Sequence, residues 1–544
     1  MASQWLHNLV NLDVEFPVMQ SLMLSVAAGI VGVILIGLWL VARKKNGGLP
    51  YPPGPKGLPI IGNALDLNMK EPHVTYAKWA EQYGDIIYSR IFSQDFVIIS
   101  STKIARHLAD QRSTVYSDRP QSPLYKLFGI DQMTFLMKYC DEWRMHRKLF
   151  HSTLKADAID QYQEMYLRCT SLLLSNLQQS PSTFREHLHL YTGAISLELV
   201  YGRRIEGKND PIITLATGLG DILSKETTPE RSGLLMSFPF LQYLPAWFPG
   251  FGFKYDAKIS RKMVQTLAEL PYGMAKQQMV VIIYFCLVPI LSPLKESGIL
   301  PQCLVYDFLM NGASLEEKSA KDAASGVYIG LPPFSLHVYM LMKIMATASA
   351  EGTAAILEML ILAMILFPDV QEKAHAELDG VIGKGIIPTF NDRERLPYLQ
   401  AVIYELMRWN PIFPLGVPHM TSTSDIYEGY YIPKGCIVIF NIWAMTRGHS
   451  DPKLFDPTRH LTPDGQILPQ ARQNNGVYFG FGRRVCPGRF FAENGLWAAI
   501  AMMLSSFTFE RAKDANRNYI DIEPKFEHGQ ASHPSPFECS IIRR

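Results

Sequence analysis

The sequence predicts a mostly α-helical body with a minor β-sheet component, preceded by one membrane-spanning helix. Three observations carry this. Apolar residues recur at helical spacing over several long stretches. Only two pairs of short runs are rich in β-branched and aromatic residues. One uncharged stretch, Phe16 to Ala42, comes before all of them. Composition agrees: 48% hydrophobic and 19% charged residues in a chain of 544 exclude a disordered protein. Lys plus Arg is 52 and Asp plus Glu is 50. That balance argues against a nucleic-acid-binding protein. The seven cysteines are odd in number and form no CxxC pair. A disulfide scaffold and a zinc ribbon are therefore both disfavoured, and a reducing compartment is the simplest setting.

The first element is the span Leu22 to Ala42, apolar on every helical face. About 20 such residues cross a bilayer core. Arg43, Lys44 and Lys45 follow it, while Asp13 and Glu15 precede it. The positive-inside rule puts residues 1–21 on the lumenal side and the rest in the cytosol. A cleaved signal peptide would carry its positive charge in front of a shorter apolar core. Residues 43–59 are basic, then proline-rich, ending in Pro50-Tyr-Pro-Pro-Gly-Pro-Lys-Gly-Leu-Pro59. They read as a semi-rigid spacer before a catalytic body over 60–544.

Inside that body, Asp85 to Ser93 and Phe96 to Ser100 predict a β-hairpin. Helical patterns follow over Thr102–Gln111, Glu142–Phe150, Asp157–Leu177, Leu357–Leu366 and Asp369–Val381. Tyr427 to Gly435 and Ile437 to Asn441 predict a second strand pair. Two apolar, proline-bearing segments, 280–293 and 326–342, interrupt otherwise charged helical sequence. Excising either leaves a continuous helical pattern, so both read as insertions of the in-frame retained-intron kind; the rival reading is genuine membrane-contacting loops.

The strongest local signal is Phe479-Gly-Phe-Gly-Arg-Arg-Val-Cys-Pro-Gly488. Its lone Cys486 has no second cysteine nearby to share a metal. Glycines at 480, 482 and 488 allow close backbone approach to a flat group. Arg484 is placed to pair with an anion on that group. A helix beginning just after the cysteine would stabilise its thiolate. The string resembles the cysteine-ligand loop of the cytochrome P-450 family, the haem-thiolate monooxygenases, at every defining position.

That resemblance implies the cytochrome P-450 fold, with haem b as cofactor, Cys486 as axial iron ligand and Arg484 on a haem propionate. Phe479 and Gly488 belong to the same cofactor loop. Glu405 and Arg408, in ExxR spacing, are implied to form a structural triad with Arg459. His419 matches a second propionate contact. Trp143 and Arg147 match the family's WxxxR segment, facing the propionates. The spacer and anchor match the microsomal branch. Phe479-Gly-Phe-Gly-Arg-Arg and Leu366-Phe-Pro-Asp-Val-Gln look like fungal, basidiomycete members. The implied partners are O₂, a lipophilic substrate, the endoplasmic reticulum membrane and an NADPH-dependent flavoprotein reductase.

One departure stands out. The family's central helix carries an acid followed by threonine over the haem. Here the matching string is Ala348-Ser-Ala-Glu-Gly-Thr353. Glu351 takes the acid position, but Gly352 replaces the first threonine. Thr353 is adjacent, and one helical residue rotates about 100°. The expected consequence is slower O–O cleavage and peroxide leakage, unless Thr353 or water substitutes. The departure gives weight to one alternative, a reductase-independent haem-thiolate isomerase or dehydratase; together with the two insertions it points to another, a catalytically impaired haem binder.

Overall fold

A computed structural model of the chain describes Gly29 and residues 48–202, 204–205, 210–267, 352–448, 451–528 and 531–544. The expected anchor at 22–42 (Gly29 apart), both suspected insertions and Glu351 lie outside the described residues. Among the described residues, no single helix is long and apolar enough to cross a membrane. The chain divides into two compact units, residues 53–422 with 435–544, and residues 1–52 with 423–434.

The larger unit is mostly helical, as the sequence predicts. Strands β1 (Ile86–Ile91) and β2 (Gln94–Ile99) form the expected hairpin. The central helix Gly352–Leu366 is buried through most of its length, with Leu357, Met359, Leu360 and Ile361 at zero exposure. It is followed, after a 106° bend, by the helix Pro368–Val381. Its apolar character is that of a core helix packed on all sides.

The helix Arg489–Ser506 is its counterpart and buries Leu496 through Met503. Two tyrosine hydroxyls tie this helix to its neighbours. Tyr166 on Gln163–Gln179 donates to the Phe491 carbonyl at 3.0 Å. Tyr191 on Phe184–Tyr201 donates to the Gly495 carbonyl at 2.8 Å. Inside a dry core such hydroxyls need a partner, and main-chain carbonyls supply it.

Three expected elements differ. The helix expected over Asp157–Leu177 starts at Gln163, after two short 3₁₀ turns. The helix expected over Thr102–Gln111 is α only to Arg106, and His107–Gln111 is a π-turn. The expected pairing of Tyr427–Gly435 with Ile437–Asn441 does not form. Instead β4 (Asp425–Tyr427) pairs with β5 (Tyr430–Ile432) in the smaller unit. Glu428 and Gly429 both have positive φ, at 49° and 83°, the signature of a two-residue hairpin turn. In that unit the Tyr431 N–H also donates to the Pro50 carbonyl at 2.8 Å, tying down the start of the proline-rich stretch.

β6 (Ile437–Phe440) is buried at all four positions. A strand buried on both faces belongs inside a sheet. It lies there, parallel to β2 on one side and antiparallel to β3 (His419–Met420) on the other. The order β1-β2-β6-β3 thereby brings His419 into the larger unit's sheet.

Candidate active site around Cys486

The cysteine loop runs from a 3₁₀ turn, Gly476–Phe479, through a second one, Gly482–Arg484, to the helix Arg489–Ser506. Gly488 is the N-cap of that helix, so Cys486 stands just ahead of its positive end. The Cys486 N–H donates to the Phe479 carbonyl at 2.7 Å, which closes the loop. Phe479 therefore acts through its main chain. Burial pushes the Cys486 thiol above its ordinary pKa. The Gly488 N–H and the Arg147 and Arg489 charges pull it back toward the thiolate.

Gly482 cannot be anything else. Its φ is +59°, and a Cβ there would lie 2.0 Å from the Ala109 carbonyl oxygen. Ala109 belongs to the π-turn, and the Asp110 carboxylate accepts the Gly482 N–H at 2.7 Å. π-turns often mark functional sites. This one carries both main-chain contact and carboxylate to the loop, and no periodicity in the sequence announces it.

Arg484 is buried and spends three donors on carbonyls. Nε bonds Ser117 at 2.7 Å, Nη1 bonds Thr134 at 3.3 Å and Nη2 bonds Met137 at 2.9 Å. Two of its five N–H groups remain. Its guanidinium lies 4.1 Å from the Trp143 ring centroid. Trp143 thus works as a stacking floor for Arg484 on the helix Asp141–Leu154. Arg147, one turn on, is half-buried and pairs with no described residue. His146, between them, is buried and bonds Thr134 Oγ1 through Nδ1 at 2.9 Å. His419 is buried against Phe440, with centroids 4.9 Å apart. Its Nδ1 donates to the Tyr116 carbonyl at 2.7 Å.

The expected triad is assembled. Arg408 holds Glu405 by two bonds, Nε to Oε2 at 2.7 Å and Nη2 to Oε1 at 2.8 Å. Arg459 Nε reaches Oε1 at 3.0 Å. Two partners were not foreseen: His460 Nε2 at 2.8 Å from Oε2, and the Asp456 N–H at 2.8 Å from Oε1. Burial opposes the Glu405 charge, but His460 and Arg408 outweigh it and lower its pKa. Thr353 is buried near the start of the described central helix.

A profile of the family described as Cytochrome P450 matches residues 52–270 and 334–540. A cytochrome P450 monooxygenase of Armillaria gallica is 35% identical over 527 residues, covering 95% of this chain and 96% of its own. One of Postia placenta is 33% identical, covering 97% and 95%. One of Coprinopsis cinerea is 32% identical, covering 99% and 96%. The chain belongs to the cytochrome P450 family. It is a haem-thiolate monooxygenase, and its relatives are fungal.

The residues present fit that cofactor. A half-buried thiol stands at a helix N-terminus, and unspent arginine donors lie close to it. Gly482→Ala is expected to cost at least about 1–3 kcal/mol from strain alone. Carbonyl and Cβ would also have to part. A lowered melting temperature and haem-to-protein ratio are the readouts; an unchanged ratio would show that the loop tolerates the shift.

Proposed function

We propose that this chain inserts one atom of O₂ into a lipophilic organic substrate, a secondary metabolite or xenobiotic. Electrons come from NADPH through a flavoprotein reductase, and residues 22–42 anchor the enzyme in the endoplasmic reticulum membrane. The observation that carries the reading is the closed cysteine loop at the start of the Arg489–Ser506 helix, with Arg484 locked over Trp143. Haem b, when bound through Cys486, supplies the reductive activation of O₂ and the oxidising equivalent.

The protein's own residues do the rest. Cys486 ligates and donates electron density. Arg484 and Arg147 would neutralise and orient the haem carboxylates, with Trp143 beneath Arg484, whereas His419 spends its Nδ1–H on the Tyr116 carbonyl and lines the site as a neutral ring. Glu351 and Thr353 are the proton-delivering pair on the central helix. Glu405, Arg408 and Arg459 hold the fold behind the cysteine loop. Contacts to substrate come from the 117–127 segment, the central helix and 414–417. Part of the first is committed to the core, since Leu124 has zero exposure. Alkaline carbonate extraction tests the anchor: release of the full chain from membranes would sink it.

The activity test adds a reductase and NADPH to membranes carrying the chain. Oxygenated product is expected only when both are present. Turnover without reductase would instead support an isomerase or dehydratase. Absence of a reduced-CO band would show an impaired haem binder.

Gly352 gives a sharper test. A Cβ at this position would meet no atom of the described residues within 4 Å beyond its chain neighbours and its own helix backbone, which makes Gly352→Thr the variant to test. Restoring the alcohol should cut peroxide released per NADPH by about threefold or more, a small share of what a positioned proton donor contributes. An unchanged peroxide yield would show that protons do not pass this position.

A further inference from the structure

Asn475 is the last residue of the helix Pro469–Asn475, and the cysteine loop begins at the next residue. Glu493 lies just over one turn inside the helix that follows the loop. Their side chains meet: Asn475 Nδ2 donates to Glu493 Oε1 at 2.6 Å, across 18 residues of chain. The bond from the Cys486 N–H to the Phe479 carbonyl closes the loop from within. The Asn475–Glu493 bond closes it again at its base, helix to helix.

Asn475 is buried, and among the described residues its Oδ1 meets no donor. An unmade buried acceptor is costly. Turning the amide over would set Oδ1 against the Glu493 oxygen, acceptor against acceptor. The amide is therefore oriented by the need of the Glu493 carboxylate for a donor, at the expense of its own oxygen.

Burial pushes the Glu493 carboxyl above its ordinary pKa, and Arg393, Arg489 and the Asn475 amide act against that. Arg393 is itself fixed: Nε and Nη2 both donate to Gln400 Oε1 at 3.2 Å, and Nη1 donates to Asn494. Arg489 precedes Glu493 by four residues on one helix, so the two share a face. Arg489 also acts on Cys486. Three charges thus bear on the sulfur. Arg147 and Arg489 favour its thiolate, and Glu493 opposes it. Two cations alone would draw electron density away from a ligating thiolate. A carboxylate held at a set place offsets them and leaves the sulfur the stronger donor.

We propose that Asn475 and Glu493 latch the base of the cysteine loop, and that the carboxylate so held strengthens electron donation from Cys486. Both are positioning residues, acting through the loop and the sulfur rather than on substrate. The inference rests on the haem-thiolate reading.

The experiment uses the full-length holoenzyme in membranes as wild type, Glu493→Gln, Glu493→Asp and Asn475→Ala. Redox titration reports the ferric–ferrous midpoint, and transfer to a scavenging apo-globin reports haem loss. Glu493→Gln keeps an acceptor for Asn475 and removes the charge. Its ferrous-to-ferric ratio at a fixed poise should rise about threefold or more, a modest share of what one unit charge exerts at an effective dielectric of about 20. Glu493→Asp keeps the charge and should return the midpoint toward wild type. Asn475→Ala breaks the latch and should speed haem loss by about tenfold, the usual scale for losing a group that orients a ligand. An unmoved midpoint in Glu493→Gln, or wild-type haem loss in Asn475→Ala, would overturn the proposal. If Glu493→Gln retains no haem, Glu493→Asp decides: a wild-type midpoint with faster haem loss supports the latch, and any other result refutes it. A wild type lacking the thiolate-type reduced-CO band would overturn the underlying haem-thiolate reading instead.

Discussion

Cys486→Ala removes the thiolate-type reduced-CO band completely, and with it all NADPH-linked turnover. No other described cysteine can take over. Burial pushes Cys169 and Cys539 up to about 12, so both stay protonated thiols. Cys436 is fully buried beside β6, and that burial drives its thiol well above its ordinary pKa. Cys140 caps the start of a different helix and has no loop closed around it. Among the described cysteines, only Cys486 combines a helix N-terminus, a Gly488 N–H and two nearby guanidinium groups. Cys486→Ser keeps some haem through the arginines but loses the thiolate-type spectrum and nearly all activity. A normal thiolate-type band in the alanine variant would refute Cys486 as ligand.

Arg408→Ala abolishes folded holoenzyme. Glu405 has no exposure and Arg408 has 1%, so removing the arginine strands a buried carboxylate. Breaking such a pair costs about 3–5 kcal/mol, a large share of the roughly 5–15 kcal/mol that holds a typical domain. Arg408 also donates to the Pro452 and Leu454 carbonyls, which would lose a partner. Arg408→Lys does not rescue, because one ammonium cannot copy a fork that bonds both Glu405 oxygens. The measurement is the yield of haem-loaded protein and its melting temperature. Recovery of either variant to wild-type stability would refute the assignment.

The same carboxylate gives stability a pH dependence. Its pKa in the fold lies below the ordinary value of 4.5. Its contribution is thus complete above that value and disappears as pH falls through the lowered folded-state pKa.

What could be read from the sequence was whatever sits on a short, fixed spacing. Glu405 and Arg408 lie one helical turn apart, so the pair is visible in the string. The cysteine loop is contiguous, and so are the glycines that shape it. The remainder depends on partners brought together from afar. His460 reaches Glu405 across 55 residues, Asp110 reaches Gly482 across 372, and Arg119 reaches Val417 across 298. Local periodicity carries no trace of such pairs. Strand pairing misled for a related reason. Ile437–Phe440 follows Tyr430–Ile432 closely in sequence, but its four buried side chains require neighbours on both sides. Those neighbours come from β2 and β3. The π-turn at 107–111 was hidden because its residues fit a helical pattern equally well.

The guanidinium of Arg484 grips carbonyl oxygens at 117, 134 and 137, and that of Arg119 grips those at 417 and 418. Carbonyls are the same whatever side chain they accompany. Positions such as Ser117, Met137 and Val417 can therefore drift in size and polarity without loosening the cofactor's seat. Two of the segments expected to meet substrate are anchored in this sequence-blind way. Diversification of what the enzyme oxidises is thereby separated from retention of the group that does the oxidising.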